Sequence, residues 1–248
     1  MRVLSIGNSF SMDAHSWLHQ IAQSCGDEIY AVNLYIGGCS LERHYHNLLS
    51  GEAAYEAWVN GAFAFKSSIQ EALQENWDVV TLQQVSRLSG LAESYEPYLT
   101  ALYNEVKKQC PNSTVLFHQT WAYEQDTDHP GFANYGNDQK EMHRRVHDTV
   151  AKIAANYGCG VIPAGDVIQY MREHIPEFDY AKGGLSLNRD GSHLSYTYGR
   201  YAAALTWYAV LTGKIPEDVR FLPEWEEEKA DPILLQKIHA AVNAIIRK

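Results

Sequence analysis

A three-layer α/β/α sandwich around a central parallel sheet is the fold class this sequence predicts, and three observations predict it. Short apolar runs rich in β-branched and aromatic residues recur along the chain, at 3–6, 29–36, 79–82, 114–118 and 160–162. Stretches of helical period lie between them, and that alternation is the pattern of βαβ units whose strands are covered on both faces. The chain has 248 residues, 46% of them hydrophobic, with no internal repeat, low-complexity tract or linker, so one domain spanning 1–248 is expected.

Val3 to Ile6 is a buried strand that runs into Gly7-Asn8-Ser9, a sharp turn. Asp13 to Cys25 reads as the first helix, with Trp17, Ile21 and Ala22 on its apolar face and Gly26 stopping it. The second strand, Ile29 to Ile36, leads into Gly37-Gly38, and the third, Val79 to Leu82, into Gln83-Gln84. Helices are predicted at 95–109 and 138–157, on either side of the strand at 114–118 and of an irregular region, Trp121 to Asn137. Loops of that length are often binding or lid segments. After the strand at 160–162, helices are predicted at 195–211 and at 231–247. The last opens on Asp231-Pro232, which offers a capping acceptor and a preset φ. Three prolines and Glu226-Glu227-Glu228 make 213–229 a surface connection.

Charge narrows the partners. A formal net charge of −10 disfavours nucleic acid and anionic membrane surfaces, which would repel the chain, and makes a neutral or cationic substrate the easier one to accommodate. No apolar stretch reaches the roughly 20 residues of a membrane span, and the opening Met1-Arg2-Val3-Leu4 has no signal-peptide pattern. Cys25, Cys39, Cys110 and Cys159 lack metal-binding or disulfide-frame spacing, so a reducing cytoplasm is the expected location.

The chemistry is concentrated near the two ends. Ser9 stands just past the carboxyl end of the first strand, where open parallel sheets bind ligands, and near a helix N-terminus whose amides support a developing oxyanion. A serine hydroxyl needs a base to take its proton and an acid group to orient that base. Asp190-Gly191-Ser192-His193 supplies both, three positions apart. These residues resemble the SGNH, or GDSL-type, hydrolase superfamily, whose nucleophile follows the first strand and whose Asp and His share one late segment. Gly7-Asn8-Ser9 departs from the family block at its middle residue.

The resemblance, which spans roughly the whole chain, implies a flavodoxin-like SGNH fold and a triad of Ser9, His193 and Asp190. It also implies an oxyanion hole of the Ser9 amide, the Gly38 amide and a polar side chain after the third strand, where the family usually has Asn. Here that place holds Gln84 or, one residue earlier, Gln83. Gln84 is the first choice, and only one of the two can face the site from a strand. Glutamine in this place is similar to the carbohydrate-esterase-like branch. The reaction implied is hydrolysis of a short acyl ester, such as acetyl on a carbohydrate, with no metal or organic cofactor. Asn8, Trp121 and Tyr123 are the candidate substrate contacts, with His129 and Tyr135 in the same aromatic and polar loop. Two other readings stay open. Trp121, Tyr123 and the Tyr196, Tyr198, Tyr201 cluster could stack on a sugar in a noncatalytic binding protein, or His44/His46 and His143/His147 could hold a metal.

Overall fold

The computed structural model describes residues 1–215, 220–226 and 228–247. Strand β1 (Arg2–Gly7) is buried on both faces from Val3 onward, as a central strand must be. The helix expected over 13–25 is two helices, α1 (Ser9–His15) and α2 (Leu18–Ser24). α1 begins earlier than expected because Asn8 caps it: the Asn8 side chain accepts from the Phe10 amide while Ser11 Oγ accepts from the Asn8 amide. The break falls at Trp17, whose indole N–H is anchored on the Tyr196 carbonyl 2.9 Å away.

β2 (Tyr30–Tyr35) is followed by a helix the periodicity did not reveal, α3 (Leu41–Ser50), capped by Ser40 and stopped by Gly51 with φ of 67°. A hairpin was also missed: β3 (Tyr55–Val59) and β4 (Ala62–Ser67) turn at Asn60-Gly61, both with positive φ. Asn-Gly between two apolar runs is a strong hairpin signal. The short α4 (Ile69–Ala72) leads to β5 (Val79–Leu82). α5 (Tyr98–Gln109) starts three residues later than expected, because a residue that precedes proline, here Glu96, is disfavoured in helix. β6 (Thr114–His118), α6 (Gln139–Tyr157) and β7 (Gly160–Ile162) lie where expected.

α7 (Ala164–His174) is a further unexpected helix, and α8 (Tyr198–Thr212) is buried almost all round. Residues 216–219 and 227, within the expected surface connection, lie outside the described residues, as does 248. The rest of that segment holds a two-strand ladder, β8 (Glu224–Trp225) with β9 (Glu228–Lys229), before α9 (Pro232–Ile246).

The main sheet runs β4-β3-β2-β1-β5-β6-β7. β2, β1, β5, β6 and β7 are parallel, and the β3–β4 hairpin adds an antiparallel edge. α8 packs against α1, α2, α7 and α9, whereas α3 packs against α5, so the sheet lies between helical layers. Because β1 pairs with β2 on one side and β5 on the other, the chain reverses its direction of travel at β1. Such a switch point opens a crevice beyond the strand ends, and Ser9 stands there. Among the described residues no helix is long and apolar enough to cross a membrane.

Candidate active site

The turn after β1 is built by close approach. A Cβ on Gly7 would lie 2.0 Å from Ser11 Oγ, so the backbone reaches that hydroxyl only because residue 7 has no side chain. Asn8 is fully buried and engaged on every side. Its Oδ1 accepts from the Phe10 amide at 3.0 Å and from Gln83 Nε2 at 2.8 Å, and its Nδ2 donates to the Cys39 carbonyl at 3.0 Å. Asn8 therefore ties together the ends of β1, β2 and β5. Of the two roles open to Asn8 from the sequence, positioning the turn or contacting substrate, this buried and fully engaged side chain fits the first.

Ser9, the first residue of α1, is half-buried, with its Oγ 2.8 Å from His193 Nε2. His193 Nδ1 lies 2.7 Å from Asp190 Oδ2, so the carboxylate holds the Nδ1 proton and leaves the Nε2 lone pair toward the serine hydroxyl. Asp190 Oδ1 also accepts from the His193 amide at 2.7 Å and from the Ser192 amide and hydroxyl at 3.0 Å. Burial pushes the Asp190 carboxyl up, but these hydrogen bonds outweigh it and hold the group well below the usual carboxylate range. The acid member thus stays ionised at any pH at which the imidazole can act as a base.

The loop that carries Asp190 and His193 is gripped from several sides. Gly191, with φ of 77°, passes so near Thr127 that a Cβ would meet its Oγ1 at 2.5 Å. The Ser192 carbonyl accepts from the indole of Trp121 and from Asn188 Nδ2, both at 2.9 Å. Asp13 provides the strongest tie. Fully buried on α1, one turn past Ser9, it accepts from Arg189 Nη1 at 3.0 Å and from Arg200 Nε and the Leu194 amide at 2.9 Å. Arg189 Nη1 also meets the Leu194 carbonyl. Sequence reasoning missed this carboxylate, and its position inside a helix start was no signal of it.

The oxyanion expectation divides. Gly38 sits in the left-handed region, φ 61°, and its amide and that of Ser9 donate to no side chain among the described residues. Gln84 does not fit the part. Both amide hydrogens go to Ser94, at 2.9 and 3.1 Å, and its Oε1 accepts from the amides of Leu41 and Val85. Gln83 is the residue turned toward the Ser9 turn, with Oε1 2.8 Å from His118 Nδ1 and Nε2 on Asn8. The register was therefore one residue out. Gln84→Ala is expected to cost about 1–3 kcal/mol of stability, from buried donors and acceptors left unpaired, with kcat of the folded enzyme within twofold, by roughly the scale of distant sites. Gln83→Ala is expected to lower kcat about tenfold or more through a loosened Asn8 turn. Melting temperature and kcat measured together on both variants check this.

The aromatic expectations are corrected as well. Trp121 is fully buried and stacks on Phe10 with ring centroids 4.3 Å apart; Tyr123 is fully buried, its hydroxyl 2.8 Å from Ser86 Oγ. Both pack beneath the site, and neither offers a face to a sugar. Of the loop, half-buried His129 remains near the surface, its ring 4.5 Å from that of Tyr123. Neither histidine pair builds a metal site. His44 is buried against the Tyr55 hydroxyl at 2.8 Å, and burial lowers its pKa to about 3. His143 and His147 both turn to Asp166, at 3.6 and 3.0 Å. Among the described residues no group of three or more His, Cys, Asp or Glu is arranged to hold a metal ion. A hollow of about 730 Å³ lined by Glu124, Arg172, Asp179 and Tyr180, among others, includes none of Ser9, Asp190 and His193, so the site is identified by its chemistry and not by volume.

Residues 2–241 match the family described as a domain of unknown function, DUF4886. A crystal structure of a DUF4886 family protein from Bacteroides uniformis is similar over 99% of this chain and 95% of that one, with a TM-score of 0.88 and 36% identity. The chain belongs to this family. A protein from Slackia heliotrinireducens provisionally assigned to the SGNH hydrolases gives a TM-score of 0.56 at 20% identity, over 85% of this chain and 98% of that one. A catalytic mutant of an acetylxylan esterase from Geobacillus stearothermophilus gives 0.53 at 12% identity, over 85% and 91%. These likenesses show that the fold is that of the SGNH hydrolases. No curated protein matches the sequence.

Proposed function

We propose that this DUF4886 member hydrolyses a carboxylic ester with Ser9 as nucleophile, removing a short acyl group such as acetyl from a carbohydrate or other small alcohol. The observation that carries the reading is the unbroken line of hydrogen bonds from Ser9 Oγ through His193 to Asp190, 2.8 and 2.7 Å, beyond the carboxyl end of β1 at the sheet's switch point. Ser9 Oγ forms a bond to the ester carbonyl carbon as its proton passes to His193 Nε2. Asp190 stabilises the imidazolium that results. The tetrahedral oxyanion is held by the Ser9 amide, at the positive end of α1, and by the Gly38 amide; one such donor is worth about 10²–10³ in kcat. The carbon–oxygen bond to the alcohol breaks as His193 returns the proton to it. Water then attacks the acyl-enzyme, giving its proton to His193, and Ser9 leaves with that proton as the acid departs. The balance is ester plus water to acid plus alcohol.

The acetyl preference rests on the activity of the Geobacillus relative in fold. A cytoplasmic location is part of the same proposal and rests on four free cysteines. The test is a fluorophosphonate probe read out by peptide mapping, beside a panel of acyl esters and acetylated sugars. Label on Ser9 with turnover of short esters is expected; label on another serine, with turnover kept in Ser9→Ala, would overturn the assignment.

A further inference from the structure

We propose that the alcohol half of the ester carries a carboxylate, as in an O-acylated sugar acid or other hydroxy acid, and that Arg87 and His129 bind it. The inference rests on the esterase reading above and names its substrate class.

Arg87 lies in the short helical turn Ser86–Leu88 beyond β5, and its Nη1 is 3.5 Å from the carbonyl of Gly38, a long and loose contact beside a proposed oxyanion donor. Its backbone is fixed, because the Arg87 carbonyl accepts from Asn134 Nδ2 at 3.0 Å and from the Tyr135 hydroxyl at 3.2 Å. Its side chain is aimed by Gly131. A Cβ there would lie 2.4 Å from Arg87 Cβ and 3.2 Å from His129 Nδ1, so the glycine is what lets the two side chains stand next to each other.

His129 presents a donor on the same side. Its Nδ1 accepts from the Gly131 amide at 3.0 Å, which leaves the proton of the neutral ring on Nε2. Burial, and then the neighbouring Arg87 guanidinium, lower the pKa of His129, which favours the neutral ring. Arg87 thus reaches the Gly38 carbonyl with its guanidinium and stands across Gly131 from His129 at its Cβ. The proposal seats the alcohol half of the substrate, which His193 would protonate as it departs, against His129 and Arg87.

The guanidinium has no carboxylate of its own. Among the described residues Arg87 forms no ion pair, while Asp190 is held by His193, and Asp128, the chain neighbour of His129, is exposed. Planar, paired donors match a carboxylate. The net charge of −10 pointed to a neutral or cationic substrate. At a screening length of about 8 Å, however, the nearest charge counts for more than the sum over the whole surface.

The experiment compares kcat/KM for 4-acetoxybenzoate and 4-acetoxybenzamide, esters alike in shape and differing in charge, on wild type, Arg87→Gln and Arg87→Lys. Wild type is expected to prefer the carboxylate ester about 10- to 100-fold, the scale of a charged hydrogen bond. The ratio should fall to near one in Arg87→Gln and be intermediate in Arg87→Lys, which keeps the charge but loses the fork. Fluorophosphonate labelling of Ser9 in each variant shows that the fold is intact. A ratio near one in wild type, a ratio retained in Arg87→Gln, or labelled Ser9 with neither ester hydrolysed would overturn the proposal and leave the nucleophile assignment standing. No hydrolysis and no label on Ser9 would instead remove the esterase reading, and this inference with it.

Discussion

Ser9→Ala is expected to lower kcat on the order of 10⁴- to 10⁶-fold, as deletion of a triad nucleophile does elsewhere, while the melting temperature stays nearly unchanged. The two halves of the expectation have separate grounds. The Ser9 hydroxyl bonds to His193 Nε2, and without it the imidazole has no oxygen to activate. The cap of α1 belongs to Asn8 and Ser11, so the helix does not depend on the residue 9 side chain. Removal of a half-buried hydroxyl from such a place costs within about 0.5 kcal/mol. His193→Ala should cost a similar factor, and the double variant little more, because the residues act as a unit. Steady-state rates on one activated ester, with thermal melts, decide it. A Ser9→Ala enzyme within tenfold of wild type would refute the nucleophile.

Asp13→Asn is expected to damage stability and activity together. Its carboxylate is fully buried and neutralises two guanidinium groups, Arg189 and Arg200. Breaking a buried pair from one side costs about 3–5 kcal/mol, since the remaining charges stay desolvated without a partner. In a chain of this size that is a fall in melting temperature of about 6–20 °C. The amide keeps the volume but turns a donor toward a donor. Because Asp13 also accepts from the Leu194 amide, next to His193, the surviving folded enzyme should lose at least about tenfold in kcat, as the base drifts from Ser9. Urea unfolding gives the first number, and kcat corrected for folded fraction gives the second. A variant of full stability would show that solvent reaches the arginines.

Ser9, Asp190 and His193 were legible in the sequence because each announces itself locally, by a Gly-Asn-Ser turn after an apolar strand or by the short spacing of an acid and a base. Gln83 and Gln84 were not, because β5 ends at Leu82 and strand alternation no longer governs the residues beyond it. Trp121 and Tyr123 misled for a related reason. A loop sequence does not say whether its aromatics lie over the surface or are tucked under it, and here Ser192 and Ser86 draw both inward. Asp13 was invisible since its partner Arg189 is 176 positions away. In the fold, the parallel strands were readable from their apolar runs. The β3–β4 edge was legible too, in the apolar residues 57–59 and 62–65 on either side of Asn60-Gly61, but it was passed over because those residues carry alanine and aromatics rather than a β-branched run and the outer strand leaves Phe63 and Phe65 exposed.

The 184 positions that separate Ser9 from His193 also have a meaning in time. During synthesis Ser9 has no imidazole partner until His193, made 184 residues later, has emerged as well. If Ser9 is the nucleophile proposed above, it is chemically silent in the nascent chain until the late loop, held near α1 where α8 packs, has reached it. Contacts so remote in sequence are among the slowest to close, since loop entropy is lost before they form. On that proposal, the onset of ester turnover would report the completion of folding.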